Sequence, residues 1–328
     1  MKVLSIVVPT YNMEMYLDRC LSSLLVGDKE LDNLEILVIN DGSKDKSSEI
    51  AHRYADKYPQ TFIVVDKENG NYGSCVNKGI ELATGKYFRI LDADDWMDTP
   101  VLSQFIALLT TCDADIVATQ YKTYFSETNV IVSSFDNGKE IGKQYLTTEK
   151  GLRPEKWLRM HQVTFKLQLL RDSGTRLQHG ISYTDTEFCY FPSKRAKSVM
   201  FVDLCLYQYF AYREGSTISL GSRIKSLNDI EKVAVRLLED YKESQDSENV
   251  HLLFQPVKCA SEFLMQTALL DCEFSPEIKQ YLNRITPYIK TDSRLKEYFM
   301  GIRYIKLWLR YRIPYRGSIM KLYHKVTK

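Results

Sequence analysis

No run of apolar residues in this 328-residue chain approaches the roughly 18 that a bilayer-crossing helix needs. The seven cysteines (Cys20, Cys75, Cys112, Cys189, Cys205, Cys259, Cys272) never form Cys-x-x-Cys and lack metal-ligand spacing. Free thiols in a reducing compartment explain them better than a disulfide framework. Glycine (15) and proline (9) are sparse, and neither a low-complexity linker nor an internal repeat interrupts the chain. The first strand–helix turn has no Gly-x-Gly-x-x-Gly, which argues against a Rossmann dehydrogenase. A net charge of +2 gives no case for nucleic acid. Met1-Lys2-Val3 runs directly into a strand-like segment and leaves no room for a signal peptide. The expected location is the cytoplasm or, peripherally, the inner face of the cell membrane.

What is present is an alternation. Val3–Val8, Leu34–Ile39, Phe62–Val65, Tyr87–Leu91 and Asp115–Thr119 are strand-like runs. Helical patterns at 13–26, 43–58, 73–83 and 99–111 separate them, which predicts βαβ units and a mostly parallel sheet covered on both faces. The pattern is mixed from about 120 to 220, with strand-like pieces at 130–135 and 198–211 and a helix starting near Asp185. Segments near 222–243, 250–271, 275–288 and 293–312 then read as helices. The expected organisation is an α/β domain over 1–217 and a smaller helical region over 218–328. A length of 328 residues at 44% apolar content supports one large core plus an appendage.

The densest chemistry follows the fourth strand, in Leu91-Asp92-Ala93-Asp94-Asp95-Trp96. Alternate residues of an extended segment project to one side, which pairs Asp92 with Asp94. Two hard oxygen ligands from one loop suit Mg²⁺ or Mn²⁺, whose shell phosphate oxygens can complete. An acidic helix-capping turn would look the same in isolation. In a parallel α/β sheet, ligands bind beyond the carboxyl ends of the strands. Thr10-Tyr11-Asn12, Asp41 and the Asp92/Asp94 pair all fall there.

Five segments together resemble the family 2 glycosyltransferases of GT-A fold: Val7-Val8-Pro9-Thr10-Tyr11-Asn12, Ile39-Asn40-Asp41-Gly42-Ser43, Glu68-Asn69-Gly70-Asn71-Tyr72-Gly73-Ser74, Asn77-Lys78-Gly79 with Ala83-Thr84-Gly85-Lys86-Tyr87, and Leu91-Asp92-Ala93-Asp94-Asp95. Order and spacing match over roughly 1–215, of the type that builds cell-surface polysaccharide. The resemblance implies a nucleotide-sugar domain in which Pro9, Thr10, Tyr11, Asn12 and Asp41 hold the uridine of a UDP-sugar. Asn69 and Gly70 pass beside the nucleotide. Asp92, Ala93 and Asp95 contact the donor, and Asp94 with Asp92 holds Mn²⁺ or Mg²⁺. Many relatives carry Arg where this chain has Val76, so a phosphate contact from that position is lost. Arg213, in Tyr212-Arg213-Glu214-Gly215-Ser216, is a candidate for the diphosphate. Asp185 aligns with the catalytic base, although Thr184 replaces the usual preceding Glu. Glu187 and, more weakly, His179 are fallback bases, and Lys166 and Arg171 are weak candidates for the acceptor.

The family implies inversion by single displacement, with a glycan acceptor carried on a polyprenyl-diphosphate lipid. From another class comes the alternative of a catalytically idle GT-A-fold subunit that binds nucleotide-sugar for a second enzyme. Retention of Asp92, Asp94 and Asp185 argues against that. The tail adds one expectation. Residues 298–328 hold eight Lys/Arg and no acid, while 1–297 hold 36 basic against 42 acidic residues. Ile302, Ile305 and Leu309 share a helical face beside Arg303, Lys306 and Arg310, a pattern that fits a helix lying in an anionic membrane surface. The alternative is a helix packed on the protein. Donor sugar, acceptor linkage and oligomeric state are not legible.

Overall fold

The computed structural model describes residues 2–126, 128–133, 139–211, 216–217 and 219–312. The chain divides into two compact units, Met1–Glu214 and Gly215–Lys328.

The first unit begins β1 (Leu4–Thr10), α1 (Leu17–Ser22), α2 (Asp28–Leu31), β2 (Leu34–Asn40), α3 (Ser47–Lys57), β3 (Phe62–Asp66), α4 (Asn71–Leu82) and β4 (Tyr87–Ile90). It continues β5 (Trp96–Met97), α5 (Thr99–Thr111), β6 (Ile116–Tyr124), β7 (Val130–Val132), β8 (Gln144–Leu146), α6 (Pro154–Trp157), β9 (Val163–Lys166), α7 (Leu167–Asp172), α8 (Asp185–Ser193) and β10 (Ser198–Phe210). Among the described residues these strands make one ten-stranded sheet, ordered β3-β2-β1-β4-β9-β6-β10-β5 with β7 on β6 and β8 on β10. The long ladders, β1 with β2, β2 with β3, β1 with β4 and β6 with β10, are all parallel. Every residue of β2 is buried, as expected of a strand covered on both faces. Packing between layers is tight at Gly79, where an added Cβ would lie 2.4 Å from Val7.

The sheet departs from the expected order at β9, which inserts antiparallel between β4 and β6. Its four residues run into α7 with no turn residue between, so Val163–Leu170 shows neither strand nor helix periodicity. Because β9 reverses direction twice over, β6 and β10 end at the same sheet edge as β1, β2 and β4. That edge carries the polar clusters.

The second unit is helical: α9 (Leu220–Lys225), α10 (Leu227–Glu243), α11 (Val250–Gln266), α12 (Pro276–Thr291), α13 (Ser293–Gly301) and α14 (Arg303–Tyr311), with a π-helical turn at Thr267–Asp271 closing α11. Ser275 and Asp292 cap α12 and α13 through their side chains. One expectation is corrected here. Ile305, Trp308 and Leu309 of α14 are buried, with Trp308 Nε1 donating to Thr286 Oγ1 at 3.2 Å and its ring against Phe274. The apolar face meant for a membrane is therefore already covered by protein. A helix with so few exposed apolar residues gains more by closing its own unit than by insertion. Residues 313–328 lie outside the described residues.

Candidate active site

At the ends of β1 and β2 two loops are stitched together. Asp41 N donates to Thr10 O (2.8 Å), Asn12 N to Ser43 Oγ (3.0 Å), and Lys44 N to Asn12 Oδ1 (2.8 Å). Asn12 sits at φ 53°, a left-handed conformation that Asn tolerates. Its amide oxygen is thus spent on the scaffold, while Tyr11 stays exposed and Pro9 half-buried. Asp41 is buried. Its Oδ1 accepts from Gly70 N (3.0 Å) and from Lys67 Nζ, and its carbonyl accepts from Asn69 Nδ2 (3.0 Å). Sequence reasoning passed over Lys67, which has no special spacing to mark it.

The carboxylate loop is fixed from β10. Asp95 is fully buried, Oδ2 accepting from Tyr207 Oη at 2.6 Å and Oδ1 from Phe210 N at 2.7 Å. The same Tyr207 oxygen accepts from Asp92 N at 3.2 Å. From outside, Arg19 stacks on Trp96 (4.1 Å) and Phe210 (4.8 Å) and donates to Asp94 O at 2.6 Å. Asp92 Oδ1 accepts from Tyr72 Oη at 3.0 Å. Asp92, Asp95 and His161 each bring a ligand atom within 4.8 Å of the others; Asp92 and Asp94 are half-buried, and Asp94 lies outside that trio. Ala93 is buried between them.

His161 was not legible in the sequence. It stacks on Tyr121 (5.2 Å) and meets Tyr207 (4.9 Å) and Tyr209 (4.5 Å), and its carbonyl accepts from the buried Arg89. Burial, with Arg89 and Arg159 adding, lowers its pKa to about 3, so the imidazole is neutral and has a lone pair to give. Burial, with Asp94 and Asp92 adding, pushes Asp95 well above the usual carboxylate range. Two carboxylates and a neutral imidazole, crowded until one acid is raised, fit a divalent cation.

Asp185 opens α8. The preceding Thr184 stands at the cap position without a side-chain capping bond, buried, its hydroxyl lacking a partner. Burial raises the Asp185 pKa, against backbone N–H groups of Asp185 and Thr186 that lower it. Burial, then Asp92 and Asp185, raise the phenol of Tyr72, so the two carboxylate sites act on one hydroxyl. The approach to Asp185 rests on α4. Gly180 N donates to Gly70 O (2.9 Å), Asn77 brackets Leu177 (2.8 and 2.9 Å) and meets His179 Nε2 at 3.1 Å. Glu187 is buried with both oxygens on Gln178 (2.8 and 2.7 Å). Glu187 and His179 therefore both brace the loop before Asp185. Tyr183 takes φ 63° next to the base, a conformation rare for an aromatic residue and found where a site is tightly determined.

Two weaker candidates are spent elsewhere. Lys166 pairs with Asp113 (2.9 Å), and Arg171 donates to the carbonyls of Ile80, Glu81 and Ala83 that end α4. Val76 is fully buried, so its position faces the core. Arg213 lies outside the described residues.

The mostly parallel α/β sheet, with carboxylates gathered at one edge, is of the GT-A-like class. The sequence model described as Glycosyl transferase family 2 matches residues 5–173, just over half of the chain, and the chain belongs to that family. The chain is 37% identical over 130 residues to EpsH of Bacillus subtilis strain 168, a protein with a glycosyltransferase name. That match covers 40% of this chain and only 37% of EpsH. An uncharacterized glycosyltransferase of Mycoplasma pneumoniae, the MG060 homolog, is 26% identical over 306 residues, 90% of this chain and 97% of its own. Among solved structures, Staphylococcus aureus TarS 1–349 in complex with UDP-GlcNAc has a TM-score of 0.72 at 21% identity, over 99% of this chain and 92% of that one.

Proposed function

We propose that this protein is a glycosyltransferase that moves a sugar, with inversion, from a UDP-sugar to a hydroxyl of a glycan acceptor in cell-surface polysaccharide synthesis. The observation that carries this reading is the Tyr72 hydroxyl, bonded to Asp92 and under the field of Asp185. It joins a donor-side acid to an acceptor-side acid. Family membership supports the reaction class, and TarS, whose structure holds UDP-GlcNAc, supports uridine as the nucleotide. A lipid-linked acceptor rests on the family alone. The idle-subunit alternative gains nothing, since Asp92, Asp94 and the base candidate Asp185 are all retained.

In this reading Asp185 accepts the proton of the acceptor hydroxyl as its oxygen attacks the anomeric carbon. Burial raises its pKa and so makes the carboxylate a stronger base than an ordinary Asp. Asp41 orients the base, and Asp95 and Tyr207 keep the Asp92–Asp94 loop in register. Asp92, with Asp95 and His161 beside it, would hold Mn²⁺ or Mg²⁺, and Asp94 is the further ligand that the family resemblance implies; the ion when bound would neutralise charge on the departing diphosphate.

The test is a screen of UDP-sugars, UDP-GlcNAc first, for Mn²⁺-dependent hydrolysis and transfer. Activity is expected to vanish with EDTA and return with Mn²⁺, and Asp94→Asn is expected to weaken metal-dependent UDP binding with the melting temperature unchanged. Full turnover by metal-stripped enzyme, or no turnover with any nucleotide sugar, would overturn the assignment.

A further inference from the structure

The cation nearest the expected base pocket is Lys67, at the end of β3. Its ammonium donates to Asp41 Oδ1, to Glu68 O at 2.6 Å and to Ser74 Oγ at 2.9 Å. A lysine ammonium has three N–H donors, and here all three are taken. Lys67 therefore has none left for a phosphate or a base. Its effect must pass through Asp41.

That effect is directional. Oδ1 of Asp41 is held twice, by Lys67 and by Gly70 N (3.0 Å). Oδ2 accepts no N–H or O–H bond among the described residues and keeps a small solvent-facing area, and the buried Cys75 thiol is the other polar group beside the carboxylate. The carboxylate is 4% exposed and the lysine 23%, so the pair is shielded from solvent and the ammonium offsets the cost of burying the charge. The turn packs closely on this segment: a Cβ added to Gly42, at φ +75°, would stand 3.3 Å from Lys67 O and Asn69 N. The result is a rigid carboxylate with one oxygen presented outward, able only to accept.

We propose that Lys67 is a positioning residue that makes Asp41 a single-ended acceptor and so sets the nucleobase preference of the donor pocket. A fixed outward acceptor favours a base whose ring carries an N–H, such as uracil, over cytosine, whose ring nitrogen at that position is itself an acceptor. This rests on reading Asp41 as the base contact.

The experiment measures binding of UDP, uridine and CDP to the full-length protein by calorimetry, for the parent, Lys67→Met, Lys67→Arg, Asp41→Asn and the Lys67→Met/Asp41→Asn double variant. Lys67→Met is expected to weaken UDP and uridine alike, by about 10-fold or more, as loss of a charge-assisted contact would. CDP binding is expected to change little, narrowing the UDP/CDP ratio. Lys67→Arg is expected to recover part of the loss. In the Asp41→Asn background Lys67→Met is expected to add almost nothing. Equal losses for UDP and CDP would mark Lys67 as merely structural and overturn the inference. Loss for UDP but not uridine would place Lys67 on the phosphates, with the same consequence. Unchanged UDP binding in Asp41→Asn would remove Asp41 as the base contact and the inference with it. A large effect of Asp41→Asn with none of Lys67→Met would sink the Lys67 inference alone.

Discussion

As the proposed base, Asp185 would trade stability for chemistry. Burial raises its pKa in the folded protein, so the folded state favours the protonated form. A group raised in this way stabilises fully below its unfolded value of about 3.9, and that contribution is lost as pH climbs through the folded value. Above the folded value the buried charge is therefore a cost. Asp185→Asn is expected to melt at or above the parent temperature at pH 7 while losing about 10²-fold or more in kcat, with UDP affinity nearly unchanged. The acidic limb of the parent's kcat profile should lie above that of an ordinary Asp. Glu187→Gln should behave oppositely: a lower melting temperature, because both its oxygens secure Gln178. If Asp185→Asn lowers stability and spares kcat, the base lies elsewhere. Asp92, Asp94 and Asp185 stand out in the sequence because they are polar residues at strand and helix ends. His161, Lys67 and Tyr207 do not, since each reaches the site from a distant segment and nothing in its local sequence differs from an ordinary buried or surface residue.

Among the elements, α4 does the most for the site. Its first turn carries Asn71 at φ 65° and supplies Gly70 on one side to Asp41 and on the other to Gly180. Gly73 lies in the same turn, where an added Cβ would sit 2.2 Å from Gln178 O and 3.1 Å from Leu177 Cβ. Neither neighbour is a free side-chain end, so the 177–180 segment must move. Gly73→Ala is expected to lower kcat by about 10-fold or more, since a shift of about 1 Å at a catalytic group can cost 10²-fold. UDP binding should fall much less. Equal losses in both would mean that the turn serves the donor alone. The βαβ half of the sheet was legible from strand runs and helical faces, and α5 (Thr99–Thr111), read over 99–111, begins at its Asp98 cap with Pro100 in the first turn. From 140 to 175 the elements are three to six residues long. Periodicity needs more residues than that to declare itself, which is why β8, β9, α6 and α7 were missed.

At the scale of the whole chain the charge asymmetry survives while its structural reading changes. The described part of the basic region places Ile305, Trp308 and Leu309 inside the helical unit, with Arg312 Nη1 on Thr286 at 2.8 Å. Arg303 and Arg310 remain exposed, and four more cations follow among residues 313–328. Each cation near an anionic bilayer is worth about 1 kcal/mol, with or without an inserted apolar face. Association with membrane is therefore proposed to be electrostatic and shallow. Full-length protein is expected to sediment with vesicles containing anionic lipid and to be released by high salt, as screening shortens the reach of each charge. Brominated lipids should leave the emission of Trp308 unquenched, because its ring is already packed against Phe274. A variant ending at Arg312 should bind less while keeping its melting temperature. Trp308→Ala should lose about 3–5 kcal/mol of stability in the helical unit, the usual cost of emptying a buried Trp site. Quenching of Trp308 together with salt-resistant binding would show that α14 leaves its packed position and inserts after all.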